Sequence, residues 1–315
     1  QVAIRELAYQ IFTDRATDEF LLDFSRTDDD YDNGLWATLA EQGVLGLAIP
    51  EVAGGSGLGF VDLCLILEEQ GKRVAPVPVF ASLVLGALPI AQFGTEEQQQ
   101  RLLGPLVSGD KKLSAAISEL GMPYGLADVV SASANGDVWQ LSGSRTGVID
   151  GAVANTVLVP AQTENGLSMF VIDTAATGVS VEAQEVSLLG DWAAHIELDN
   201  AAAELLGAEG QGQEILDWIE EHANVAHCAL QVGITEEAMK RTAAYVSERK
   251  QFGVPLGTFQ ALAMRMADSY IDVENMRSTY WLAAWLLSEG RDARLEVRAA
   301  KWWACDAAHR VVHTS

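Results

Sequence analysis

The hydrophobic periodicity of this 315-residue chain changes twice, and those two changes restrict its possible folds more than any single motif. Up to about residue 110 apolar residues recur at helical spacing, as from Tyr31 to Gln42, where Leu35, Trp36 and Leu39 share one face. From Leu113 to about Leu206 the period is two, in short Val-, Thr- and Ser-rich runs broken by Gly and Asn. Asn135-Gly136, between VVSASA and VWQLSG, signals a hairpin, and TVLVPAQ, LSMFVID and VSVEAQEV follow as further strands. Helical spacing returns at about Gly212 and continues to Ser315. The expected class is α+β multidomain, with a helical domain over 1–112, a small β domain over 113–208 and a helical bundle over 209–315. No internal repeat or low-complexity stretch interrupts this order.

The formal charge is −24, with 20 Lys and Arg against 44 Asp and Glu. A phosphate backbone would be repelled, and no basic run offsets the excess, so a nucleic-acid partner is not expected. Any pyrophosphate ligand must meet a local cation, which draws attention to each exposed arginine. Hydrophobic residues make up 49% of the chain, enough for more than one core. Cys64, Cys228 and Cys305 lie in apolar helical patterns without a C-x-x-C pair and read as small core residues in a reducing compartment. His222 and His227 are five apart, and His309 and His313 lack the Glu of an H-E-x-x-H site, so no metal is expected. With no apolar run of transmembrane length and no signal-peptide pattern at Gln1, a soluble cytoplasmic protein is expected.

Near the N-terminus, Gly54, Gly55, Gly57 and Gly59 suggest a phosphate loop only superficially. No Lys-Ser/Thr ending follows and no strand precedes in a βαβ setting, so a tight turn introducing a helix from Phe60 to Gly71 accounts for them better. Thr95 with Gln98 three residues on caps a helix from Glu96 to Leu106.

Between two long helical patterns stands YVSERKQFGVPLGTFQ, Tyr245 to Gln260. Ile215, Ile219, Ala226, Ala229, Val232, Met239, Ala243 and Val246 give the first helix one buried face and take it to the Gly253-Val254-Pro255 break. Leu262, Met266, Ile271, Val273, Met276, Tyr280 and Leu287 give the second, through about Ser288. The turn holds Arg249, Lys250 and Gln251 beside Phe252, with Gln260 on the next helix's first turn. A cation, an aromatic ring and amide donors at a helix end suit a phosphate and a planar base. A solvated loop with Phe252 as a core anchor is the plainer alternative.

RKQFGVPLGTFQ resembles the R-x-x-F-G-x-x-L-x-x-x-Q loop of the acyl-CoA dehydrogenases. PEVAGGSG, from Pro50, resembles the P-E-x-x-G-G-x-G turn of their N-terminal domain. The resemblance implies an N-terminal helical domain, a middle β-barrel-like domain and a C-terminal four-helix domain. It also implies that Arg249, Gln251, Phe252, Leu256 and Gln260 reach across a subunit interface to the adenosine-pyrophosphate half of an FAD held mainly by a neighbour.

Desaturation of an acyl-CoA needs a carboxylate base, a flavin to accept hydride, and donors that polarise the thioester carbonyl. The family's T-E-P-x-x-G-S-D and K-x-W-I-T/S segments serve the flavin. Their counterparts here are the run Ser118 to Gly125 and Arg145-Thr146-Gly147-Val148-Ile149, in which Leu120 replaces Pro, Gly147 the packing Trp and Ile149 the hydroxyl. In one branch of the family a base precedes the Arg-Phe-Gly loop, and a gapless count puts Ala223-Asn224 there, with Glu220 and Glu221 nearby as solvated acids. In the other branch it follows a Q-x-x-G-G segment that would lie beyond Ser315, so the last domain reads as incomplete.

A preserved cross-interface loop beside a decayed flavin pocket fits a partner subunit without a catalytic residue of its own. Heteromeric α2β2 members that act on steroid side-chain CoA thioesters in actinobacteria are built this way, with half the usual flavins. A self-sufficient homotetrameric dehydrogenase and a flavin-free scaffold are the alternatives. Trp281, Trp285, Trp302 and Trp303 put more aromatic surface on the last helices than a short bundle buries, so subunit interfaces are expected there.

Overall fold

The structure, a computed structural model, is described for residues 1–117, 130–135, 138–185 and 192–315. Helices α1 (Val2–Arg15), α2 (Asp18–Phe24), α3 (Asn33–Glu41), α4 (Phe60–Arg73), α5 (Leu88–Phe93) and α6 (Glu96–Val107) come first, with a π-helical stretch over Phe80–Ala87. Strands β1 (Leu113–Ala115), β2 (Ser131–Asn135), β3 (Val138–Ile149), β4 (Thr156–Thr163), β5 (Gly166–Asp173), β6 (Val179–Glu185) and β7 (Trp192–Leu206) follow. Then come α7 (Gly212–Glu248), the two-residue strands β8 (Lys250–Gln251) and β9 (Val254–Pro255), α8 (Gln260–Ser288) and α9 (Arg294–Thr314).

The chain divides into two compact units, one of Gln1–Leu21, Gly59–Ala75 and Glu221–Ser315, the other of Leu22–Leu58 and Pro76–Glu220. The second contains the strands. β4, β2, β3, β7 and β5 pair in a closed ring, because β5 returns to β4; β1 and β6 attach to β4 and β7. Ring closure removes edges that would otherwise recruit other strands. Leu141, Val157, Val159, Phe170, Ile172 and Ile196 fill the interior. Asn135 stands opposite Val138, as the hairpin signal requires, although Gly136 lies outside the described residues. In the same unit, Asp32 caps α3 by accepting from Leu35 N, and Thr95 and Gln98 form a reciprocal capping box on α6.

In the first unit α4 packs on α1, α7 and α8. Gly71 and Gly233 permit the α4–α7 approach: a Cβ on Gly233 would lie 2.0 Å from Glu68 O, and one on Gly71 2.3 Å from Leu230 O. Beside that crossing is a buried ionic network that the sequence reading did not anticipate. Glu68 and Glu69 are 0% and 2% exposed. Arg5 reaches both, at 2.9 and 2.8 Å, and Lys72 bonds Glu69 at 2.7 Å. Arg277 bridges Glu68 at 3.3 Å and Glu236 at 2.8 Å. Burial alone would raise the Glu236 carboxyl, but Lys240, Lys72 and Arg277 outweigh it and hold it at about 2.

Some side chains lie elsewhere than their spacing implied. Val273, Met276 and Tyr280 are buried as expected, but Ile271 is 55% exposed and Cys305 is also exposed. Periodicity identifies an apolar stripe without saying what covers it. No helix among the described residues is long and apolar enough to cross a membrane, and no group of three ligands suited to a metal occurs among them.

Candidate functional site

Helix α7 stops at Glu248, five residues before the expected break, because the chain there turns into a hairpin. Lys250 pairs with Pro255 and Gln251 with Val254. Leu256 N closes the hairpin onto Arg249 O at 2.8 Å, and Arg249 N still bonds back to Tyr245 O at 2.8 Å. Pro255 favours extended backbone at Val254, and the pairing passes that preference back across the turn. Phe252 and Gly253 are the two central residues, with φ of 54° and 83°. A two-residue turn with positive φ at both positions matches the strand twist, and a phenylalanine accepts it at a cost of about 1–2 kcal/mol.

Phe252 is 93% exposed, so it anchors no core among the described residues. Its ring meets Phe259 edge-on, with centroids 6.3 Å apart. Arg249, Lys250, Gln251 and Gln260 are all exposed, Gln260 as the first residue of α8, while Leu256 is half-buried in a short 3-10 turn. Arg249 makes no ion pair or side-chain hydrogen bond among the described residues. The five candidate positions thus cluster on one hairpin and the helix start that follows it, offering a guanidinium, two amides and an aromatic face. That donor set suits the phosphates and base of a dinucleotide.

In the strand-bearing unit, the Arg145 to Ile149 run forms the last five of the twelve residues of β3. Arg145 is 1% exposed and donates from Nη2 to Pro160 O at 2.9 Å. The register with β7 shifts between Arg145 and Val148, and Gly147 has φ of 71° within that irregularity. Gly147 N donates to Gln184 Oε1 at 3.2 Å, and Thr146 Oγ1 lies 2.7 Å from His195 Nδ1. A tryptophan at position 147 would have to adopt a left-handed backbone. The run from Ser118 to Gly125 lies outside the described residues.

The Glu220 side chain reaches solvent but is partly desolvated by its surroundings, and that desolvation first, with Asp217 second, raises its carboxyl above the ordinary value. Glu221 is half-buried, and the adjacent His222 packs on Phe60 with centroids 4.7 Å apart. Ala223, at the gapless base position, is buried and carries no titratable group.

Residues 1–110 match the acyl-CoA dehydrogenase N-terminal domain and residues 210–315 the C-terminal domain. The chain belongs to the acyl-CoA dehydrogenase family. Among relatives in that family, acyl-CoA dehydrogenase FadE27 of Mycobacterium tuberculosis is 35% identical over 307 residues, covering 95% of this chain and 80% of the relative. Two solved structures are also similar. The Tcur3481-Tcur3483 steroid ACAD, as a G363A variant, superposes with a TM-score of 0.90 at 40% identity over 99% of this chain and 84% of that one. The ChsE4-ChsE5 complex from Mycobacterium tuberculosis superposes at 0.91 with 35% identity and the same coverage. Butyryl-CoA dehydrogenase from Megasphaera elsdenii shares the acyl-CoA dehydrogenase fold at 0.87 with 26% identity, covering 98% of this chain and 85% of that one.

Proposed function

We propose that this chain is the non-catalytic subunit of a heteromeric, FAD-dependent acyl-CoA dehydrogenase, an α2β2 assembly that desaturates a CoA thioester, with a steroid side chain as the substrate class. Its domains are taken as 1–112, 113–208 and 209–315, and its setting as cytoplasmic, in keeping with three free cysteines. The Tcur3481-Tcur3483 and ChsE4-ChsE5 structures each carry two component names, the first as a steroid ACAD and the second as a complex, which favours a partner for this chain.

The observation that carries the proposal is Phe252, a 93% exposed aromatic held at positive φ on a hairpin whose arginine makes no ion pair or side-chain hydrogen bond among the described residues. Backbone strain for an exposed ring is retained most readily when the ring packs against something outside the chain. In this reading Arg249 pairs with the pyrophosphate of a neighbour's FAD, Gln251 and Gln260 donate amides, and Phe252 with Leu256 packs beside the adenosine half. When bound, FAD supplies the hydride acceptor. The base and the carbonyl-polarising groups belong to the partner, consistent with Gly147 in place of a flavin-packing ring and Ala223 in place of a carboxylate.

The test is a visible spectrum of the chain purified alone and after co-expression with the acyl-CoA dehydrogenase subunit encoded beside it. The proposal expects flavin only in the second preparation. Flavin in the chain alone would instead indicate a self-sufficient enzyme, and flavin in neither a scaffold.

A further inference from the structure

The hairpin carries a second aromatic residue that the cofactor assignments leave out. Phe259 stands between Leu256 and Gln260, seven residues after Phe252. The two rings meet at 88° with centroids 6.3 Å apart, and neither makes another aromatic contact among the described residues. Edge-to-face contact is an attractive arrangement for two aromatic quadrupoles.

The two phenylalanines differ in how firmly their backbones are held. Phe252 sits at the turn tip with φ of 54° and is 93% exposed. Phe259 has ordinary extended backbone, φ of −77° and ψ of 121°, where the 3-10 turn passes into α8. Its N–H donates to Leu256 O at 3.1 Å, and its carbonyl accepts from Leu262 N at 3.0 Å and Ala263 N at 3.1 Å. The same turn is tied down by Thr258 Oγ1, which donates to Pro255 O at 2.7 Å. It also lies against α7, where a Cβ on Gly257 would come within 3.4 Å of Val246 O. Phe259 is therefore the fixed member of the pair and Phe252 the free one.

Three roles for Phe259 can be compared. As a core anchor for α8 it is weak, being 37% exposed. As the residue capping α8 its side chain offers no hydrogen bond. Its contact with Phe252 has a clearer use. A ring on a turn tip must be ordered whenever it packs on a ligand, and a contact that orders it beforehand removes that cost.

We propose that Phe259 is a positioning residue, which holds the Phe252 ring at the hairpin tip ready to pack beside the adenosine half of the neighbour's FAD. This rests on the cofactor reading above and adds to it a residue that acts through Phe252.

The test measures the flavin affinity of the co-expressed complex from flavin fluorescence over a dilution series. Phe259→Leu should weaken FAD binding about two- to tenfold, the range set by an edge-to-face pair, and Phe259→Tyr should hold it near wild type. Phe259→Leu should add no further loss once Phe252 is replaced by Leu, but should multiply the loss from Arg249→Ala, which acts through a separate contact. A loss that persists undiminished beside Phe252→Leu makes Phe259 a cofactor contact in its own right and overturns the inference. A loss that vanishes beside Arg249→Ala as well reports general damage to the hairpin and overturns it too. If Phe259→Leu keeps full flavin while Arg249→Ala and Phe252→Leu lose it, the inference fails and the cofactor reading stands. If none of the three loses flavin, both fail, and a subunit melting temperature lowered by Phe252→Leu then assigns that ring to packing within its own chain.

Discussion

The hydroxyl of Tyr280 donates to Oε2 of Glu68 at 2.5 Å, and both side chains are fully buried, one on α8 and the other on α4. Burial first, and then the charge of Glu68, push the Tyr280 phenol well above its ordinary value, so it stays a donor throughout the useful pH range. Tyr280→Phe leaves a buried carboxylate oxygen without its donor and should destabilise the chain by about 1–3 kcal/mol, read as a shift in the denaturant midpoint at constant slope.

Acid should unfold this protein in two overlapping stages. Burial, reinforced by Lys301, holds His227 down at about 4 from 6.5, so the unfolded chain takes up its proton first and stability falls as pH drops from 6.5 toward 4. Glu236 is held at about 2 from 4.5, so its contribution is present above 4.5 and is lost as pH falls toward 2. Thermal melts over this range should show a continuous decline. His227→Gln should flatten the upper part and leave the lower part unchanged.

Gly233→Ala should destabilise by about 3 kcal/mol or more, because the new methyl would meet the Glu68 carbonyl at 2.0 Å and backbone cannot give way as a side chain does. Differential scanning calorimetry of the chain alone reads this directly.

Phe252→Asn should act in opposite directions on stability and on cofactor retention. Asparagine tolerates the left-handed turn better, so the chain alone gains about 0.5–1 kcal/mol by chemical denaturation. The co-expressed complex should nevertheless lose flavin on gel filtration. A site kept only for folding would show no such opposition.

Most of the architecture was legible because each part carried a local cause. Leu35, Trp36 and Leu39 marked the buried face of α3, Thr95 with Gln98 marked the start of α6, and Asn135 marked a strand end. The five candidate cofactor positions were legible only through the resemblance of the string, since β8 and β9 are two residues each and leave no periodic signal. The exposure of Phe252 was not legible, because a large aromatic suits a core anchor at least as well as an exposed contact. The Glu68–Glu69 network left one unread hint, an acidic pair inside the apolar run LCLILEEQ, since neighbouring helical residues on a buried stretch cannot both reach solvent. Its cations, Arg5 and Arg277, come from positions 63 and 209 residues away from Glu68, beyond the reach of any local pattern.

The central claim is that this chain lends a cation to a cofactor and takes no part in the chemistry. Flavin content and turnover of the co-expressed complex, measured side by side for Arg249→Ala and Glu221→Gln, test it most directly. A charge-assisted contact of about 1.5–3 kcal/mol predicts roughly ten- to a hundredfold weaker FAD retention for Arg249→Ala, and near-normal turnover per flavin for Glu221→Gln. Full flavin with Arg249→Ala, together with abolished turnover in Glu221→Gln, would contradict the account and place the chemistry in this chain.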